Sequence, residues 1–485
     1  MRLSELLAGL PNIRYQTDSD PNIGGIATHS GRVKPGDLFV ALRGDAKLPE
    51  RHPFIAQAIE AKAAAIVAEK EAKTGSVPLI YTNDTHQTLA FLAKKFYNHP
   101  TDQLRLVGVT GTNGKTSTVY LIHAILKAAQ LAPGLIGTIE HKWRDKREVS
   151  QNSTPQAHDL YRLFRAMADA QCQSAVMEAT SEGLAQQRVA GLHFEAAVFT
   201  NLTRDHLDYH GSFDAYLAAK ATLFDNLKSD SSAIVNTDDK ATEKLLANCS
   251  AKVIRYGKAE SADVRIINGK TDWRGTQLQL QTPAGTIDLS LALQGRFQFY
   301  NAAAAVATGL ALGIAPNTIA EALREVRVPG RFEGINCGQK FGVIVDYAHA
   351  PDGLENVLTT AREFTKGQLI CVFGCGGDRD RGKRPVMGEI SARLADLTLV
   401  TSDNPRTEDP EAIIADILPG VGDAPHIVEA NRQKAIEMAI QKAQPGDLII
   451  IAGKGHEDYQ EINHVKTHFD DREVARNILM HMSKV

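Results

Sequence analysis

Short apolar runs alternate with longer amphipathic stretches from one end of the chain to the other. The apolar runs predict buried strands at 64–68, 104–109, 175–177, 196–200, 343–345, 369–373, 397–401 and 448–452. Helical spacing of apolar residues predicts connecting helices, for example at 119–129, 213–227 and 317–326. This alternation predicts an α/β fold with mainly parallel sheets. The segment 261–293 differs, because its short alternating pattern predicts an antiparallel patch appended to the central part of the chain.

Two breaks in the pattern predict three domains. The first break is the sequence Asn98-His99-Pro100, and the second is Val328-Pro329-Gly330, where a predicted helix ends. A chain of 485 residues is long enough for about three domains. The predicted domains are therefore 1–99, 100–329 and 330–485.

A glycine-rich segment, Gly108 to Ser117, lies between a predicted strand and a predicted helix. In this arrangement the main-chain N–H groups of the loop point at phosphate oxygens. Lys115 can then reach the terminal phosphates, and the Thr116 hydroxyl can hold Mg²⁺. The spacing departs from the strict phosphate-loop pattern, since Val109 stands five residues before Gly114 where that pattern has a glycine. The segment still predicts a site for ATP or GTP.

Polar clusters follow the predicted strands at the point where each strand ends. The clusters are Glu178, Asn201 to His206, Asp346 to His349, Gly374 to Arg379, Asp403 to Arg406, and Gly453 to Glu457. Ligands of open α/β sheets bind beyond the carboxyl ends of the strands. Six clusters therefore predict an active site for several substrates rather than a lone nucleotide switch.

Several of these side chains also have plain structural interpretations. Glu178 and His206 suit a divalent cation near the terminal phosphate, or else they are a helix cap and a satisfied polar residue. Lys220, on its predicted helix, has the pattern of an exposed surface lysine. Arg331 either reaches a phosphate or belongs to a hinge turn.

The last predicted domain carries two arginines after neighbouring strands, Arg379 and Arg406. A guanidinium binds carboxylates in a bidentate manner, so this pair suits a small dicarboxylate or an amino acid. Glu457 could bind the amine of the same ligand. The alternative for the highly charged run at 378–384 is a solvated loop.

Composition narrows the class of protein. A net charge of −3 provides no basic surface for a nucleic acid, so no nucleic-acid partner is expected. Five cysteines without zinc-ligand spacing indicate reduced thiols. Met1 to Leu10 lacks the apolar core of a signal peptide, and no run reaches the ~18 apolar residues that span a membrane. We expect a cytoplasmic protein with no membrane partner.

Several motifs together resemble those of the Mur ligases. They are Gly111 to Thr116, Asn201 to His210 with its Asp-His-Leu-Asp-Tyr-His sequence, Gly330-Arg331-Phe332-Glu333, Asp346-Tyr347-Ala348-His349 and Asp403-Asn404-Pro405-Arg406. The resemblance runs from Ser30 to the Glu457 region, essentially the whole chain. It is specific in both the order and the spacing of the motifs.

The resemblance implies a small N-terminal α/β domain that binds a UDP-sugar, a central P-loop ATPase domain and a C-terminal Rossmann-like domain. It implies ATP-dependent addition of meso-2,6-diaminopimelate to the D-glutamate γ-carboxylate of UDP-N-acetylmuramoyl-L-alanyl-D-glutamate, through an acyl phosphate. Mg²⁺ would assist, and the enzyme would be a monomer.

The resemblance also implies roles for individual residues. The ATP contacts would be Gly111, Thr112, Asn113, Gly114, Lys115, Thr116, Ser117, Asn301, Arg331 and Asp346. The UDP-sugar-peptide contacts would be Thr28, Ser30, Asp45, Ala46, Lys47, Asn152, Ser153, Thr154, Thr180, Gln186 and Arg188. The amino-acid contacts would be Arg379, Asp403, Asn404, Pro405, Arg406, Gly453 and Glu457. The metal ligands would be Thr116, Glu178, His206 and Lys220 as N6-carboxylysine, and the catalytic set would be Lys115, Glu178, His206, Lys220 and His349.

Arg406 would determine the choice of amino acid. Meso-diaminopimelate carries one carboxylate more than lysine, and a buried arginine without its carboxylate partner would disfavour lysine roughly 10³-fold or more. The alternatives are a lysine-adding homologue, a folylpolyglutamate-type ligase and, from another class, a P-loop switch or motor. Arg406 argues against the first, the Ser30 region against the second, and the polar clusters of the last domain against the third.

Three motifs depart from the family pattern. His29-Ser30-Gly31 replaces Asp-Ser-Arg, so Gly31 stands where the arginine that would contact the UDP-sugar is usual. Glu182 stands where a histidine is usual, and Gln298 replaces an asparagine in the Gly-x-Phe-Asn motif.

Overall fold

The chain forms two compact units in a computed structural model that describes residues 1–15, 19–45, 49–203 and 205–482. One unit comprises Met1–Val264 together with Ala304–Thr318, and the other comprises Arg265–Ala303 together with Ile319–Val485. The division into three domains stays a prediction. Ala46 and Lys47 lie outside the described residues.

The first unit begins with a five-stranded sheet in the order β1-β5-β4-β3-β2. Its strands are β1 (Ile13–Tyr15), β2 (Gly25–Ala27), β3 (Asp37–Val40), β4 (Ala65–Ala68) and β5 (Leu79–Thr82). Strands β2 to β5 pair in parallel, and β1 is antiparallel to β5. The connecting helices are α1 (Leu3–Leu7), α2 (Ile55–Glu60) and α3 (Thr85–Phe96), with short 3₁₀ turns at Ser30–Arg32, His52–Phe54 and Pro100–Gln103.

A larger sheet follows in the same unit, with the order β13-β12-β11-β6-β10-β7-β8-β9. The strands are β6 (Arg105–Thr110), β7 (Pro133–Ile136), β8 (Glu140–Trp143), β9 (Lys146–Val149), β10 (Ser174–Glu178), β11 (Phe194–Phe199), β12 (Ser232–Asn236) and β13 (Lys252–Gly257). All neighbours from β13 to β7 pair in parallel, whereas β7, β8 and β9 are antiparallel. The helices are α4 (Lys115–Ala128), α5 (Ala157–Asp169), α6 (Ser181–Ala185), α7 (Leu207–His210), α8 (Phe213–Asp225) and α9 (Thr242–Leu245).

The second unit contains an antiparallel ladder of β14 (Val264–Asp272), β15 (Gly275–Thr282) and β16 (Gly285–Leu291). This ladder confirms the predicted antiparallel patch. Helices α10 (Phe297–Ala311) and α11 (Pro316–Leu323) then supply residues to both units.

The remainder of the second unit is a doubly wound domain. Its sheet has the order β17-β18-β22-β19-β20-β21, and all pairs except β17 with β18 are parallel. The strands are β17 (Glu333–Gly334), β18 (Gly342–Asp346), β19 (Leu369–Phe373), β20 (Leu397–Val400), β21 (His426–Val428) and β22 (Leu448–Ala452). The helices are α12 (Pro351–Arg362), α13 (Lys383–Leu394), α14 (Pro410–Val421), α15 (Arg432–Lys442) and α16 (Asp471–Met482), and β23 (Tyr459–Ile462) pairs with β24 (Val465–His468) as a hairpin.

The parallel strands explain the apolar runs of the sequence. Every residue of β19 and β22 is buried, because helices cover both faces of the sheet. The predicted α/β fold is confirmed.

The bounds of all three predicted helices were wrong by up to four residues. Helix α8 ends at Asp225 rather than at residue 227. Helix α4 begins at Lys115, not at Val119, because its first turn is formed by polar residues of the phosphate loop. Helix α11 runs from Pro316 to Leu323 rather than over 317–326, with proline in the first position of the helix.

Candidate functional site

The loop between β6 and α4 has the geometry of a phosphate cradle. Gly111 has φ +147°, and a Cβ there would lie 1.9 Å from Thr200 Oγ1, so only glycine fits. Gly114 (φ +85°) precedes the helix. Asn113 is held from the neighbouring strand end, since its N–H donates to Asn201 Oδ1 at 2.9 Å and its carbonyl accepts from Thr200 Oγ1 at 2.6 Å. The main chain is thus fixed before any nucleotide binds.

Lys115 bends back over this loop. Its Nζ donates to the carbonyls of Gly111 at 2.9 Å and Thr112 at 2.8 Å. Thr112 in turn lies 3.0 Å from the Tyr216 hydroxyl, and Ser117 is buried in the first turn of α4. The Lys115 ammonium thus lies against the loop that is predicted to hold the phosphates.

Glu178, at the end of β10, is only 1% exposed and lies beside the first turn of α4. Its Oε1 accepts from Thr116 Oγ1 at 3.0 Å and from the Thr138 N–H at 2.8 Å, and its Oε2 accepts from Thr138 Oγ1 at 3.0 Å. A buried carboxylate beside a hydroxyl of the phosphate loop is suitable for a divalent cation.

Lys220 of α8 is 1% exposed, so the surface-lysine interpretation is wrong. Its Nζ donates to the Gly111 carbonyl at 2.9 Å and lies 4.3 Å from the centre of the Tyr216 ring. Burial, and then the ammonium of Lys115, depresses the pKa of Lys220 well below its usual range. The amine is therefore readily available in its neutral, nucleophilic form.

His206 is more exposed than Glu178, with 40% of its side chain accessible. Its Nδ1 lies 3.5 Å from Glu182 Oε1 and its Nε2 lies 3.5 Å from Asp205 Oδ2. The backbone of His206 has φ +52°, which is uncommon for a residue with a side chain. Glu182, which stands where the family usually has a histidine, thus contacts His206, the histidine that is predicted to bind the metal.

A chain of hydrogen bonds joins the predicted peptide-binding residues. Arg188 donates to Gln186 Oε1 through Nε at 2.8 Å and to the Thr154 carbonyl at 2.6 Å. Gln186 Nε2 donates to Asp45 Oδ2 at 2.6 Å. Thr180 donates to Thr154 Oγ1 at 3.1 Å. The structure therefore brings together five residues from three separate parts of the sequence.

The other residues predicted to meet the UDP-sugar-peptide lie in separate places. Ser30 Oγ donates to Gln57 Oε1 at 2.7 Å, and Thr28 follows β2 close by in the chain. Ser153 Oγ lies 2.7 Å from Thr138 Oγ1, which connects it to Glu178. Asn152 is exposed.

In the second unit, the segment Asp403 to Arg406 follows β20 and is largely buried. Asn404 Nδ2 donates to Glu457 Oε2 at 2.8 Å, and Asn404 Oδ1 accepts from Lys454 Nζ at 3.0 Å. Arg406 donates to the Gly377 carbonyl at 2.7 Å through one terminal nitrogen of its guanidinium. The predicted amino-acid contacts around Arg406 and Glu457 are therefore assembled in one place.

Three other residues of that predicted set are Gly453, Arg379 and Pro405. At Gly453 (φ +119°), a Cβ would lie 2.4 Å from Asp403 Oδ2, so glycine allows the two strand ends to approach. Arg379 is exposed and donates to the carbonyl of Asp378 at 3.2 Å. Pro405 packs against the glycine turn, where a Cβ on Gly377 would lie 1.9 Å from the Pro405 carbonyl oxygen.

The remaining predicted ATP contacts of this unit are Asp346 at the end of β18, Arg331 just before β17, and Asn301 in α10. Asp346 accepts from the N–H groups of Phe332 at 2.7 Å and Ala348 at 2.9 Å, and burial raises its pKa. The Arg331 guanidinium lies 5.2 Å from the centre of the Tyr347 ring. His349 Nδ1 lies 2.8 Å from the Tyr347 carbonyl, and burial lowers the pKa of His349. Asn301 Nδ2 donates to Gln298 Oε1 at 3.0 Å, so the longer amide at position 298 reaches its neighbour in the helix.

Sequence patterns of known families match both units. The Mur ligase middle domain matches residues 109–309, and the Mur ligase glutamate ligase domain matches residues 330–455. The chain belongs to the Mur ligase family.

Full-length relatives and a solved structure agree with this assignment. The UDP-N-acetylmuramoyl-L-alanyl-D-glutamate–2,6-diaminopimelate ligase of Syntrophomonas wolfei is 45% identical over 486 residues, covering 99% of both chains. A solved structure of a ligase with the same name has a TM-score of 0.70 and 33% identity over 95% of both chains. The folylpolyglutamate synthase of Mycobacterium tuberculosis, complexed with ADP and AMPPCP, shares the fold with a TM-score of 0.61 and 23% identity, and it covers 76% of this chain and 92% of its own.

The sequence interpretation missed three residues of this Mur ligase. All three are in direct contact with predicted site residues. Thr138 binds Glu178, the Tyr209 hydroxyl donates to Asp45 at 2.6 Å, and the fully buried Lys454 binds Asn404. Thr138 comes just after β7, so the rule that directed attention to strand ends could have found it. Lys454 and Tyr209 lie within motifs already noted, but nothing in the sequence indicates that they are in contact with site residues.

A cavity of about 630 Å³ in the second unit of this Mur ligase lies among other residues. It is lined by the antiparallel ladder and by the end of α12, including Thr271, Arg296 and Glu363. None of its lining residues is a predicted site residue, and the chemistry described above lies elsewhere.

Within the described ranges, no three His, Cys, Asp or Glu side chains group as a metal site, and no helix is long and apolar enough to cross a bilayer. All five cysteines are free thiols.

Proposed function

We propose that this Mur ligase uses ATP to join meso-2,6-diaminopimelate to the D-glutamate γ-carboxylate of UDP-N-acetylmuramoyl-L-alanyl-D-glutamate, a step of peptidoglycan precursor synthesis. The observation that carries the proposal is the 45% identity, over 99% of both chains, to a ligase named for these two substrates. The assembled Asn404, Arg406 and Glu457 cluster supports the same amino acid. A cytoplasmic location is part of the proposal, since all five thiols are free and ATP is a substrate.

The first stage is transfer of the γ-phosphoryl group of ATP to the γ-carboxylate. The preformed loop at Gly111 to Ser117 would hold the phosphates, and Lys115 would move from its two carbonyl partners to the transferring group. Positioning and neutralisation of charge account for most of the rate in such a transfer. The products are ADP and an acyl phosphate.

Thr116 and Glu178 would hold Mg²⁺, and the arrangement of these residues fits that role. The Glu178 carboxylate is buried beside a phosphate-loop hydroxyl, and its visible partners are neutral donors rather than cations. When bound, Mg²⁺ supplies positive charge to the phosphate oxygens. We assign His206, whose Nδ1 lies 3.5 Å from Glu182 Oε1, to the same set.

Lys220 would add CO₂ to become N6-carboxylysine. The ammonium first loses a proton; the neutral amine then attacks the carbon of CO₂ and releases a second proton, so that loss of two protons turns the cation into an anionic carbamate. Burial and the neighbouring Lys115 favour the neutral amine, and the anion formed would be attracted to the Lys115 ammonium. A carboxylate at this position would then be a further oxygen ligand for Mg²⁺.

The second stage is attack of the diaminopimelate amine on the acyl phosphate. Glu457 would bind an amine of the amino acid, while Arg406 would bind the carboxylate that lysine lacks. The tetrahedral intermediate then loses inorganic phosphate and leaves the amide. Thr154, Thr180, Gln186 and Arg188, which one chain of hydrogen bonds joins, would hold the peptide that carries the carboxylate.

ADP release tests this proposal. Release should require UDP-N-acetylmuramoyl-L-alanyl-D-glutamate and meso-diaminopimelate together. Nucleotide hydrolysis that is independent of both would contradict a ligase. A panel with lysine and glutamate in place of diaminopimelate separates the rival ligases, because activity with lysine at a similar kcat/KM would favour the lysine-adding homologue.

A further inference from the structure

Arg406 has a backbone conformation that a long side chain rarely adopts. Its φ is +51°, in the left-handed region where residues other than glycine, asparagine and aspartate are strained. Such strain persists only where surrounding contacts enforce it. The contacts that enforce it here come from the β23–β24 hairpin.

Both main-chain polar groups of Arg406 bind this hairpin. The Arg406 N–H donates to the Glu461 carbonyl at 3.0 Å, and the Arg406 carbonyl accepts from the Asn463 N–H at 2.6 Å. Arg406 and Ile462 thereby form a one-residue parallel bridge. Hydrogen bonds at both the N–H and the carbonyl of Arg406 therefore hold its left-handed conformation.

The hairpin also contacts the Arg406 side chain. Arg406 Nε lies 3.7 Å from Glu461 Oε2, and both side chains are less than one-fifth exposed. A terminal nitrogen of the same guanidinium donates to the Gly377 carbonyl. Within the described part of the chain, the second terminal nitrogen has no hydrogen-bond partner. Two sides of the guanidinium are thus fixed, and one remains for a ligand carboxylate.

Further contacts join the same hairpin to the residues before Arg406. Gln460 Nε2 donates to the Asp403 carbonyl at 2.8 Å, and the Glu461 N–H donates to Asn404 Oδ1 at 3.0 Å. The hairpin therefore binds three of the four residues of the Asp-Asn-Pro-Arg motif.

Core packing does not explain this hairpin. All four residues of β24 are exposed, and so is Ile462. An isolated two-stranded hairpin has little stability of its own in water. Its two turn residues, Asn463 and His464, both have positive φ, which is typical of a tight two-residue turn that fixes the register.

We propose that Glu461 and the β23–β24 hairpin are positioning elements for the choice of amino acid: they hold Arg406 in its left-handed conformation and aim its guanidinium at the distal carboxylate of the substrate. This inference rests on the proposed function, since it gives Arg406 a diaminopimelate carboxylate to bind. Glu461 itself acts through Arg406 and does not touch the substrate.

Steady-state kinetics of Glu461 variants test the inference. Glu461→Ala should raise the KM for meso-diaminopimelate about five- to tenfold, because the guanidinium loses one of its two fixed sides. The KM values for ATP and for the UDP-linked dipeptide should stay as in the wild type. Glu461→Gln keeps the length but loses the charge, and the 3.7 Å contact is an ion pair rather than a hydrogen bond, so its KM should rise about five- to tenfold, as in Glu461→Ala. Glu461→Asp keeps the charge but is one methylene shorter, so its KM should rise about threefold.

Glu473→Gln is the matched control. It removes an exposed ion pair with His468 of the same hairpin but does not touch the Asp-Asn-Pro-Arg motif. Its three KM values should equal those of the wild type. A rise in the diaminopimelate KM equal to that of Glu461→Ala would overturn the proposal.

A double-variant cycle shows whether Glu461 acts through Arg406. Arg406→Ala should raise the diaminopimelate KM most, and adding Glu461→Ala should raise it no further. If Arg406→Ala has its effect while Glu461→Ala and Glu461→Asp have none, the hairpin proposal fails and the proposed function stands. If Arg406→Ala has no effect on this KM, both fail. Should Glu461→Ala not fold, the Glu461→Asp and Glu461→Gln pair decides, and wild-type KM values for both would overturn the proposal.

Discussion

At the scale of single residues, Lys220 is a side chain whose burial costs stability but favours its proposed reaction with CO₂. Its ammonium would be buried against one carbonyl and would lie near Lys115. Replacing a buried charge by an apolar group of similar volume is often neutral or stabilising. The site therefore favours loss of the proton from Lys220.

Lys220→Met should consequently abolish ADP release in the ligase assay and raise the Tm by about 2 °C or more, because folding of the variant no longer has to deprotonate and bury a lysine. Differential scanning calorimetry and the ligase assay measure the two effects. Lys228→Met, at an exposed lysine beyond α8, is the control and should change neither. A lower Tm for Lys220→Met would show that the ammonium stabilises the fold.

His123 of α4 gives a pH dependence to the stability of the protein. Burial, and then the ammonium groups of Lys142 and Lys127, lowers its pKa from 6.5 to about 3. Between those values the unfolded chain binds a proton that the folded chain does not, so stability falls as the pH falls. Above pH 6.5 the imidazole is neutral in both states and makes no difference.

At pH 5 this effect amounts to about 2 kcal/mol. His123→Gln removes the titrating group, so the loss of stability between pH 7 and pH 5 should be smaller in the variant by about that amount. Urea unfolding at the two pH values measures it. An equal loss in the wild type and in the variant would mean that His123 is protonated in the folded state.

The sequence could predict which residue types gather at the site, but not how they contact one another. Lys220 looked like a surface lysine because its partner, the Gly111 carbonyl, lies 109 positions away. Only the resemblance to the Mur ligases gave it a role. The polar clusters at the strand ends were predictable, because polar residues that directly follow an apolar run can be recognised in the sequence itself.

At the scale of elements, the turn that begins with Gly330 depends on close packing of two main chains. Gly330 has φ +63°, and a Cβ there would lie 2.0 Å from the His456 nitrogen. Gly338 also has a positive φ, +95°, but a Cβ there would meet no atom within 4 Å. Comparing substitutions at Gly330 and Gly338 therefore distinguishes the cost of backbone strain from the cost of steric overlap with neighbouring atoms.

Gly338→Ala should lower the free energy of unfolding by about 1 kcal/mol, from strain alone. Gly330→Ala should lower it by about 3 kcal/mol, because strain and overlap with main-chain atoms add. Urea denaturation measures both. Equal losses would mean that the segment 455–456 moves aside without difficulty.

The bounds of strands and helices were predictable where every residue of the element is buried. They were not predictable where polar residues of the phosphate loop form part of the element. The bounds of β19 and β22 coincide with the predicted strands, because parallel strands covered on both faces are continuous apolar runs. Helix α4 starts earlier than its apolar periodicity, since Lys115 to Thr118 form its first turn around the phosphate loop.

At the scale of the whole molecule, neither compact unit is one continuous segment. The first unit includes Ala304–Thr318, which follows residues of the second unit in the chain. Residues 304–307 in that segment are fully buried. A unit built from two separate segments of the chain cannot be predicted from breaks in the sequence pattern, because each break marks only one boundary between consecutive segments.

A fragment of residues 1–264 should therefore lack a cooperative thermal transition, because it has no Ala304–Thr318 segment to complete its unit. A fragment of residues 1–318 should unfold cooperatively. Near-ultraviolet circular dichroism during heating distinguishes the two. Similar sharp transitions in both fragments would show that the segment is dispensable for the first unit.

The one-residue bridge between Arg406 and Ile462 has a consequence for attempts to transplant amino-acid choice between homologues. A chimera that exchanges only the four-residue Asp403 to Arg406 segment would carry the guanidinium into a host whose hairpin was shaped for another side chain. The strained backbone would then relax, and the new arginine would lose its direction. The unit of exchange is therefore discontinuous: the segment at 403–406 and the hairpin at 459–468 have to be moved together.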